Sequence, residues 1–94
     1  MRFEWDEDKN RTNLAKHGIS FEAATWVFED PFRVSVLDQS ENEERWRTVG
    51  SAGGVVLLLV VHTTSDQDGQ EVIRIISARK ATAAERKRYE EDDA

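Results

Sequence analysis

The spacing of hydrophobic positions in the first third of the chain predicts one strand followed by two helices. Phe3 and Trp5 alternate with polar residues, which indicates a short strand. Asp6 is a suitable N-cap for a first helix that ends before Gly18, and Ser20 can cap a second helix that runs to residue 29. This second helix is expected to bury the apolar residues Phe21, Ala24, Trp26, Val27 and Phe28.

From residue 32 onward the period of the hydrophobic positions changes to two, which predicts four further strands. The predicted strands cover residues 32–37, 45–49, 55–63 and 72–79. Asp68-Gly69 is a strong hairpin signal between the last two strands. Thr82 and Glu85 have the spacing of a capping box, so a final helix is expected from there to Tyr89. The order β-α-α-β-β-β-β-α predicts a two-layer α+β domain with a mostly antiparallel sheet.

Length and composition indicate a single small domain. The chain has 94 residues, 38% of them hydrophobic, and we expect one domain over residues 1–89 followed by an acidic tail at residues 90–94. It has no cysteine, which excludes disulfides, thiolate metal sites and thiol nucleophiles. The longest apolar run, Val55 to Val61, is far shorter than the roughly 20 residues that cross a bilayer. A cytoplasmic protein without membrane contact is the expectation.

The net charge of −6 at first argues against a nucleic-acid partner. Four of the 19 acidic residues lie in the tail, however, and the chain before Glu90 holds 13 basic residues against 15 acidic ones. Most basic residues of the second half fall on or beside predicted strands and the last helix. The sequence therefore predicts a local basic surface despite the acidic total.

Two candidates for chemistry occupy apolar surroundings. Arg74 lies within Val-Ile-Arg-Ile-Ile and is expected to share a strand face with Val72 and Ala78, while His62 ends the central strand. A charge at such a position must pair with a carboxylate or face a concave, wet surface. The alternatives are a structural ion pair between Arg74 and Glu4, and a satisfied strand-end role for His62.

Further cationic candidates lie on the first helix. Lys9, Lys16 and His17 fall close to one helical face. A solvated surface is the alternative for all three, and His17 near the last turn also complements the helix dipole.

The third group of candidates lies on two strands. Arg45 and Arg47 share one face of their strand, and Trp46 points away from them. Arg79 and Lys80 end the last strand just before a basic helix, where they are either phosphate ligands or a solvated cluster.

Familiar strong motifs are absent from the sequence. It contains no phosphate-binding glycine loop, no paired histidines at zinc spacing and no serine nucleophile elbow. Residues 66–71 resemble part of a calcium loop, but they stand where a hairpin turn is needed. We therefore expect neither a metal nor a cofactor.

Over nearly its whole length the chain resembles the BrnT family of toxins. The matching strings are Phe3-Glu4-Trp5-Asp6, Asn13-Leu14-x-Lys16-His17-Gly18-Ile19-Ser20-Phe21-Glu22, Val27-Phe28-x-Asp30-Pro31, Glu44-Arg45-x-Arg47-x-Val49-Gly50 and Ile73-Arg74-Ile75-Ile76-Ser77-Ala78-Arg79-Lys80-Ala81-Thr82. The resemblance implies a RelE-like fold and a ribonuclease activity that arrests translation. It also implies neutralisation by a BrnA antitoxin, whose ribbon-helix-helix region binds the DNA of the operon.

A metal-independent endoribonuclease is therefore our first hypothesis. RNA carries its own nucleophile, the 2′-hydroxyl, so cations that hold the phosphate and one group that moves protons can suffice. By our own inference the catalytic candidates are Arg74, Arg79, His62, His17 and Lys9, and the RNA-binding candidates are Arg45, Arg47, Lys80 and Lys16. The alternative hypothesis is a non-catalytic module that only binds a protein or a nucleic acid.

We expect a partner protein to inhibit such an enzyme. Acidic side chains laid over the arginines would compete with RNA phosphate, and Trp46 is our candidate anchor for that partner. The alternative is that Trp46 packs in the core. Because ribbon-helix-helix antitoxins dimerise, the expected assembly is a dimer of heterodimers.

Overall fold

The computed structural model describes residues 1–38, 43–54 and 56–92, and its elements follow the predicted order. They are β1 (Arg2–Glu4), α1 (Glu7–His17), α2 (Phe21–Ala24), a 3₁₀ helix (Thr25–Glu29), β2 (Val34–Asp38), β3 (Arg45–Ala52), β4 (Val56–Gln67), β5 (Gln70–Lys80) and α3 (Ala83–Asp92). The α+β class predicted from the hydrophobic pattern is confirmed.

Several predicted boundaries differ from the structure: β2 begins at Val34, not at residue 32, and β3 and β4 continue to Ala52 and Gln67, beyond residues 49 and 63. The second helix is α-helical only to Ala24 and then tightens into the 3₁₀ helix, a common ending for a helix. α3 continues to residue 92, so the boundary predicted between Tyr89 and an acidic tail falls inside that helix. Val55, the predicted start of the central strand, and residues 93 and 94 lie outside the described residues.

The predicted caps set the ends of the helices. The Asp6 carboxylate accepts hydrogen bonds from the backbone N–H groups of Asp8 and Lys9, at 2.8 and 3.3 Å. Gly18 adopts φ +73°, a left-handed conformation that glycine tolerates, and thereby ends α1. Ser20 Oγ accepts from the Ala23 N–H at 3.0 Å. These local signals were readable from the sequence because each acts within a few residues.

The five strands of the described chain form one sheet in the order β1-β5-β4-β3-β2. β1 pairs with β5 in parallel, and the other neighbours are antiparallel. Asp68 and Gly69, with φ +53° and +81°, form the tight turn between β4 and β5. The hairpin interpretation of residues 66–71 is therefore confirmed.

A β-bulge in β5 changes which residues share a face. Val61 pairs with Ser77, but the next residue of β4, His62, pairs with Ile75, so Ile76 is the extra residue. Alternation does not continue through a bulge. The shared face predicted for Arg74 and Ala78 is wrong for this reason: Ala78 joins the core, whereas Arg74 is exposed on the other face.

α1, α2 and the 3₁₀ helix cover one face of the sheet. The core between these layers contains Phe21, Ala24, Val27, Phe28, Leu58, Val60, Ile73, Ile75 and Ala78. Gly50 permits this packing, because a Cβ at that position would lie 2.8 Å from Val27 Cγ1. Trp26, in contrast to the prediction, is 55% exposed and does not belong to the core.

Two buried asparagines attach α1 to its surroundings. Asn13 Nδ2 donates to the carbonyl oxygens of Ile19 and Ala78, at 2.9 and 2.8 Å, and Oδ1 accepts from the Ala78 N–H. Asn10 Oδ1 accepts from the Phe21 N–H at 2.8 Å. Buried amides whose hydrogen bonds are satisfied fix orientation where the helix has few apolar residues. None of the helices in the described residues is long and apolar enough to cross a bilayer.

Candidate functional site

The sheet face opposite α1 and α2 carries four of the candidate residues. We define the arginine face by Arg45, Arg47, Arg74 and Arg79. β-strand alternation from the buried core positions Ile73 and Ile75 directs Arg74 to this face, while the Arg79 guanidinium contacts α3, which lies on it. α3 covers only one end of the face.

Every arginine of this face is paired with a carboxylate. The pairs are Arg45 Nε–Glu43 Oε1 at 3.2 Å, Arg47 Nη2–Asp38 Oδ2 at 3.1 Å, Arg74 Nη1–Glu4 Oε1 at 3.5 Å and Arg79 Nη1–Glu85 Oε1 at 2.8 Å. The predicted alternative for Arg74, an ion pair with Glu4, is present. The Arg47 and Arg74 side chains are 52% and 49% exposed, and ion pairs this exposed contribute only about 0–1 kcal/mol. A phosphate can therefore replace their carboxylates at small cost.

Arg79 is held more firmly than the other three arginines. Its Nη1 and Nη2 donate to the two carboxylate oxygens of Glu85, at 2.8 and 3.0 Å. Glu85 also accepts from the Thr82 N–H at 2.9 Å, as the predicted capping box requires. The hydrogen bond from Arg79 is the main cause that lowers the pKa of Glu85 to about 2, and the same bond raises the pKa of Arg79. Arg79 is therefore a fixed positive group.

A depression of about 140 Å³ lies between α3 and the sheet, beside Arg47. Its lining consists of Val34, Val36, Val49 and Leu59 from the sheet together with Arg47, Glu85, Arg88 and Tyr89. The site thus combines an apolar floor with a cationic rim. We call it the α3 pocket.

Tyr89 is oriented by a carboxylate at the end of the sheet. Its hydroxyl donates to Asp30 Oδ2 at 2.6 Å, and the same oxygen accepts from the Ser51 N–H at 2.8 Å. Burial raises the pKa of Asp30, but hydrogen bonds from Tyr89, Ser51 and Phe32, together with the charge of Arg33, lower it overall. Asp30 therefore stays ionised and fixes one wall of the α3 pocket.

His62 lies on the other side of the sheet from the arginine face. It is 3% exposed, and its ring packs edge-on against Phe28 with the centroids 4.9 Å apart. Nε2 is 2.7 Å from Thr48 Oγ1, which is 2.7 Å from Ser35 Oγ. Burial lowers the pKa of His62. These contacts match the structural alternative, and the sheet separates the ring from the arginines.

The basic residues of α1 are also separate from the arginine face. Lys9, Lys16 and His17 surround a depression of about 340 Å³ next to Ser77, on the part of β5 that extends beyond β1. Lys80 is exposed at the end of β5. The candidates predicted from sequence therefore fall into separate groups, of which the arginine face brings together the most cations.

Trp26 and Trp46 differ in their surroundings from what the sequence predicts. Trp46 is half-buried and lines a cavity of about 220 Å³ with His62 and Phe28, on the face opposite the arginines. Trp26 packs against Gly53 and leaves most of its side chain exposed. Its helical spacing alone could not show that the 3₁₀ winding rotates it outward.

The residues of α3 in the pocket were not among the candidates chosen from sequence. Glu85, Arg88 and Tyr89 have the spacing i, i+3, i+4, so they share one face of a helix. That spacing was readable in advance, but not the face of the sheet that the helix covers. The described residues contain no cluster of three or more histidine, aspartate or glutamate side chains suited to a metal ion.

Comparison with known proteins places the chain in a family. The model for the ribonuclease toxin BrnT of type II toxin–antitoxin systems matches residues 5–85. The chain is similar to the crystal structure of the Brucella abortus ribonuclease toxin BrnT, with a TM-score of 0.61 and 26% identity over 87% of this chain and 97% of that chain. No curated protein sequence matches it significantly. Because the family model covers most of the chain, the protein belongs to the BrnT family of ribonuclease toxins of type II toxin–antitoxin systems.

Proposed function

We propose that the chain is a metal-independent endoribonuclease of the cytoplasm that cleaves RNA on the arginine face and so arrests translation. The observation that supports this most is the convergence of four arginines on the sheet face that α3 leaves partly open. Family membership supports RNA as the substrate. The specific mechanism and the residues that carry it are our proposal.

The spacing of the arginines suits an extended RNA backbone. Arg47 pairs with Val61 of β4, and Arg74 pairs with Thr63 of the same strand. The strand separation and residue rise then put the Arg47 and Arg74 Cα atoms about 12 Å apart. Two long guanidinium side chains can meet one phosphate, or two adjacent ones, across that distance. Bidentate donors hold a phosphate in a fixed orientation.

In the proposed reaction the 2′-oxygen attacks the adjacent phosphorus. Its proton passes to a carboxylate, the bond to the 5′-oxygen of the next nucleotide breaks, and that oxygen takes up a proton from water. Arg47 and Arg74 stabilise the charge that builds on the phosphate, and the fixed Arg79 adds to the field. The products are a 2′,3′-cyclic phosphate and a free 5′-hydroxyl.

Carboxylates beside the arginines are the proposed proton acceptors, in place of the histidines considered from sequence. His62 is buried on the opposite face, and His17 lies on α1. Glu4 and Asp38 already contact Arg74 and Arg47. When a phosphate displaces the carboxylate from an arginine, that carboxylate lies next to the substrate and can accept the 2′-hydroxyl proton.

The test uses purified, antitoxin-free protein and a long RNA in excess EDTA. Multiple-turnover cleavage is expected from the wild type. Arg74→Ala should remain folded and lose cleavage, whereas Arg74→Lys should keep partial activity because it retains charge but not bidentate geometry. Arg11→Ala is the matched control, since Arg11 is an exposed, ion-paired arginine on α1.

The same assay distinguishes the non-catalytic alternative. Stoichiometric retention of RNA without cleavage would favour a binding module. Cleavage that requires a divalent ion would refute the metal-independent mechanism. If Arg74→Ala unfolds the domain, Arg47→Ala provides the test, because Arg47 lies in an exposed ion pair and its loss leaves no buried charge.

The partner in this proposal is a BrnA-type antitoxin with a ribbon-helix-helix DNA-binding region, assembled with the toxin as a dimer of heterodimers. Membership of a type II toxin–antitoxin family supports an antitoxin as such. An acidic segment of the antitoxin would displace Asp38 from Arg47 and Glu4 from Arg74. It would then occupy the arginines and exclude RNA.

A further inference from the structure

We propose that the α3 pocket binds the base of one nucleotide of the RNA and selects a pyrimidine. This inference rests on the proposed ribonuclease function and adds a base preference to it. Four properties of the pocket support it: its size, its apolar floor, its cationic rim and the rigidity of its walls.

The size of the pocket fits one aromatic ring. Its volume is about 140 Å³. An apolar cavity of roughly 150 Å³ in another protein accommodates benzene, which sets the scale for a single six-membered ring. The fused two-ring system of a purine is larger than a single six-membered ring. We therefore expect a pyrimidine to fit the depression better than a purine.

The floor of the pocket is apolar and belongs to three paired strands. Val34 pairs with Val49, and Val49 pairs with Leu59, so β2, β3 and β4 contribute side chains in one row. Val49 and Leu59 are only 8% and 3% exposed. Because Val49 and Leu59 are already buried, a base in the pocket covers mainly the half-buried Val34 and Val36 and removes their remaining apolar surface from water.

The rim supplies donors for the base and links it to the phosphate site. Arg47 from β3 and Arg88 from α3 line the pocket. Every pyrimidine has a carbonyl oxygen at C2, which accepts hydrogen bonds from a guanidinium, whereas adenine has no carbonyl group. Arg47 also belongs to the arginine face, so a base in the pocket brings its own phosphate to Arg47.

The walls of the pocket are held in place before any ligand arrives. Glu85 is fixed by Arg79 and by the Thr82 N–H. Tyr89 is fixed by its 2.6 Å hydrogen bond to Asp30. A pocket whose walls are already ordered loses little entropy on binding, so differences in base shape translate into differences in affinity.

The test measures binding of two hexanucleotides that cannot be cleaved, one of deoxyuridine and one of deoxyadenosine. We expect the wild type to bind the deoxyuridine oligomer about tenfold more tightly, the size of effect that a misfitting group produces in an apolar site. Val36→Phe should remove that preference, because Val36 is half-buried on the edge strand β2 and a larger side chain there fills the pocket. Leu37→Phe is the matched control, since Leu37 is the next residue and points to the other face.

A second variant keeps the inference testable if Val36→Phe does not fold. Tyr89→Phe removes the hydroxyl that fixes the wall and should reduce the preference about threefold. The proposed base selection would be contradicted by equal binding of the two oligomers or by tighter binding of the deoxyadenosine oligomer. A preference that Val36→Phe leaves intact would contradict it as well. None of these results bears on cleavage in EDTA, which alone decides the proposed function.

Discussion

His62 forms hydrogen bonds that a neutral ring satisfies in one tautomer. The Thr63 carbonyl oxygen, 3.3 Å from Nδ1, can only accept, so Nδ1 carries the proton. Nε2 then accepts from the Thr48 hydroxyl, which in turn accepts from Ser35. The network is satisfied with a neutral ring. Burial disfavours the charged ring and so lowers the pKa of His62.

The stability of the protein should therefore fall in mild acid. A histidine whose pKa is lower in the folded than in the unfolded state contributes no pH dependence above about pH 6.5, and stability is lost as the pH falls from there through the folded pKa. Urea unfolding between about pH 7.5 and 5.5 should show this loss in the wild type and a flatter profile in His62→Gln.

His17→Gln, which removes the chain's other histidine, is the control and should keep the wild-type profile. Both variants should retain RNA cleavage when assayed at a pH where they are folded. A His62→Gln protein that is stable but inactive would return the imidazole to the mechanism.

The sequence allowed His62 and Arg74 to be singled out but not assigned. Each stands in an apolar strand, and that pattern is the same for a buried, satisfied group and for a catalytic one. The groups that each side chain contacts decide between these two roles. The contact of His62 is Thr48 and that of Arg74 is Glu4, and both are too distant in sequence to be predicted from a local pattern. The contacts of His62 agree with the structural alternative. Arg74 agrees with both alternatives, because it is ion-paired with Glu4 and also exposed.

A charged contact joins α3 to β5. Glu85 caps its own helix and binds Arg79 of β5 through both oxygens. The capping box was predicted because both of its residues lie in one turn. The contact with Arg79 was not, because a helix can lie on either face of a sheet without any change in its cap.

Glu85→Gln should destabilise the protein by about 1 kcal/mol near neutral pH, since it removes a bidentate ion pair that is only partly shielded from water. The folded pKa of about 2 lies below the ordinary value of 4.5, so this contribution is present above the unfolded pKa and is lost as the pH falls towards the folded one. Chemical denaturation should show the difference between variant and wild type narrowing below about pH 4.5.

Glu90→Gln removes an exposed carboxylate of the same helix and serves as the control. It should leave stability unchanged across this range. An equal loss in both variants would mean that the charge of α3, and not the contact with Arg79, determines stability.

At the scale of the whole molecule the sheet separates the apolar core under α1 and α2 from the arginine face. Element order and the residues of the core followed from hydrophobic spacing and local caps. The bulge at Ile76 did not, because register depends on which strand lies alongside, and it decides that Arg74 faces away from the core. The grouping of the arginines is therefore a consequence of tertiary structure.

The antitoxin of this protein should bind through the arginine face. Arg47→Glu reverses a charge in an exposed ion pair and should weaken the complex at least about tenfold, because like charges would then meet the acidic partner. Binding measured with the purified neighbouring gene product should also weaken with added salt. Trp46, the anchor expected from the sequence, lies on the opposite face of the sheet and is not part of that surface.

Arg11→Glu on α1 is the matched charge reversal and should leave the complex intact. A neighbouring protein that rescues growth without ever binding this chain would contradict steric control of the arginine face.

The chemistry of the cleaved ends tests the central claim most directly. If the 2′-hydroxyl is the nucleophile and the arginine face holds the phosphate, RNA cut by the wild type in EDTA carries 2′,3′-cyclic phosphate and 5′-hydroxyl ends, and a single 2′-deoxy substitution at a cleaved position abolishes the cut there. Mass spectrometry of the fragments gives both results. Ends that carry a 5′-phosphate, or cleavage that survives the 2′-deoxy substitution, would contradict the mechanism proposed for this toxin.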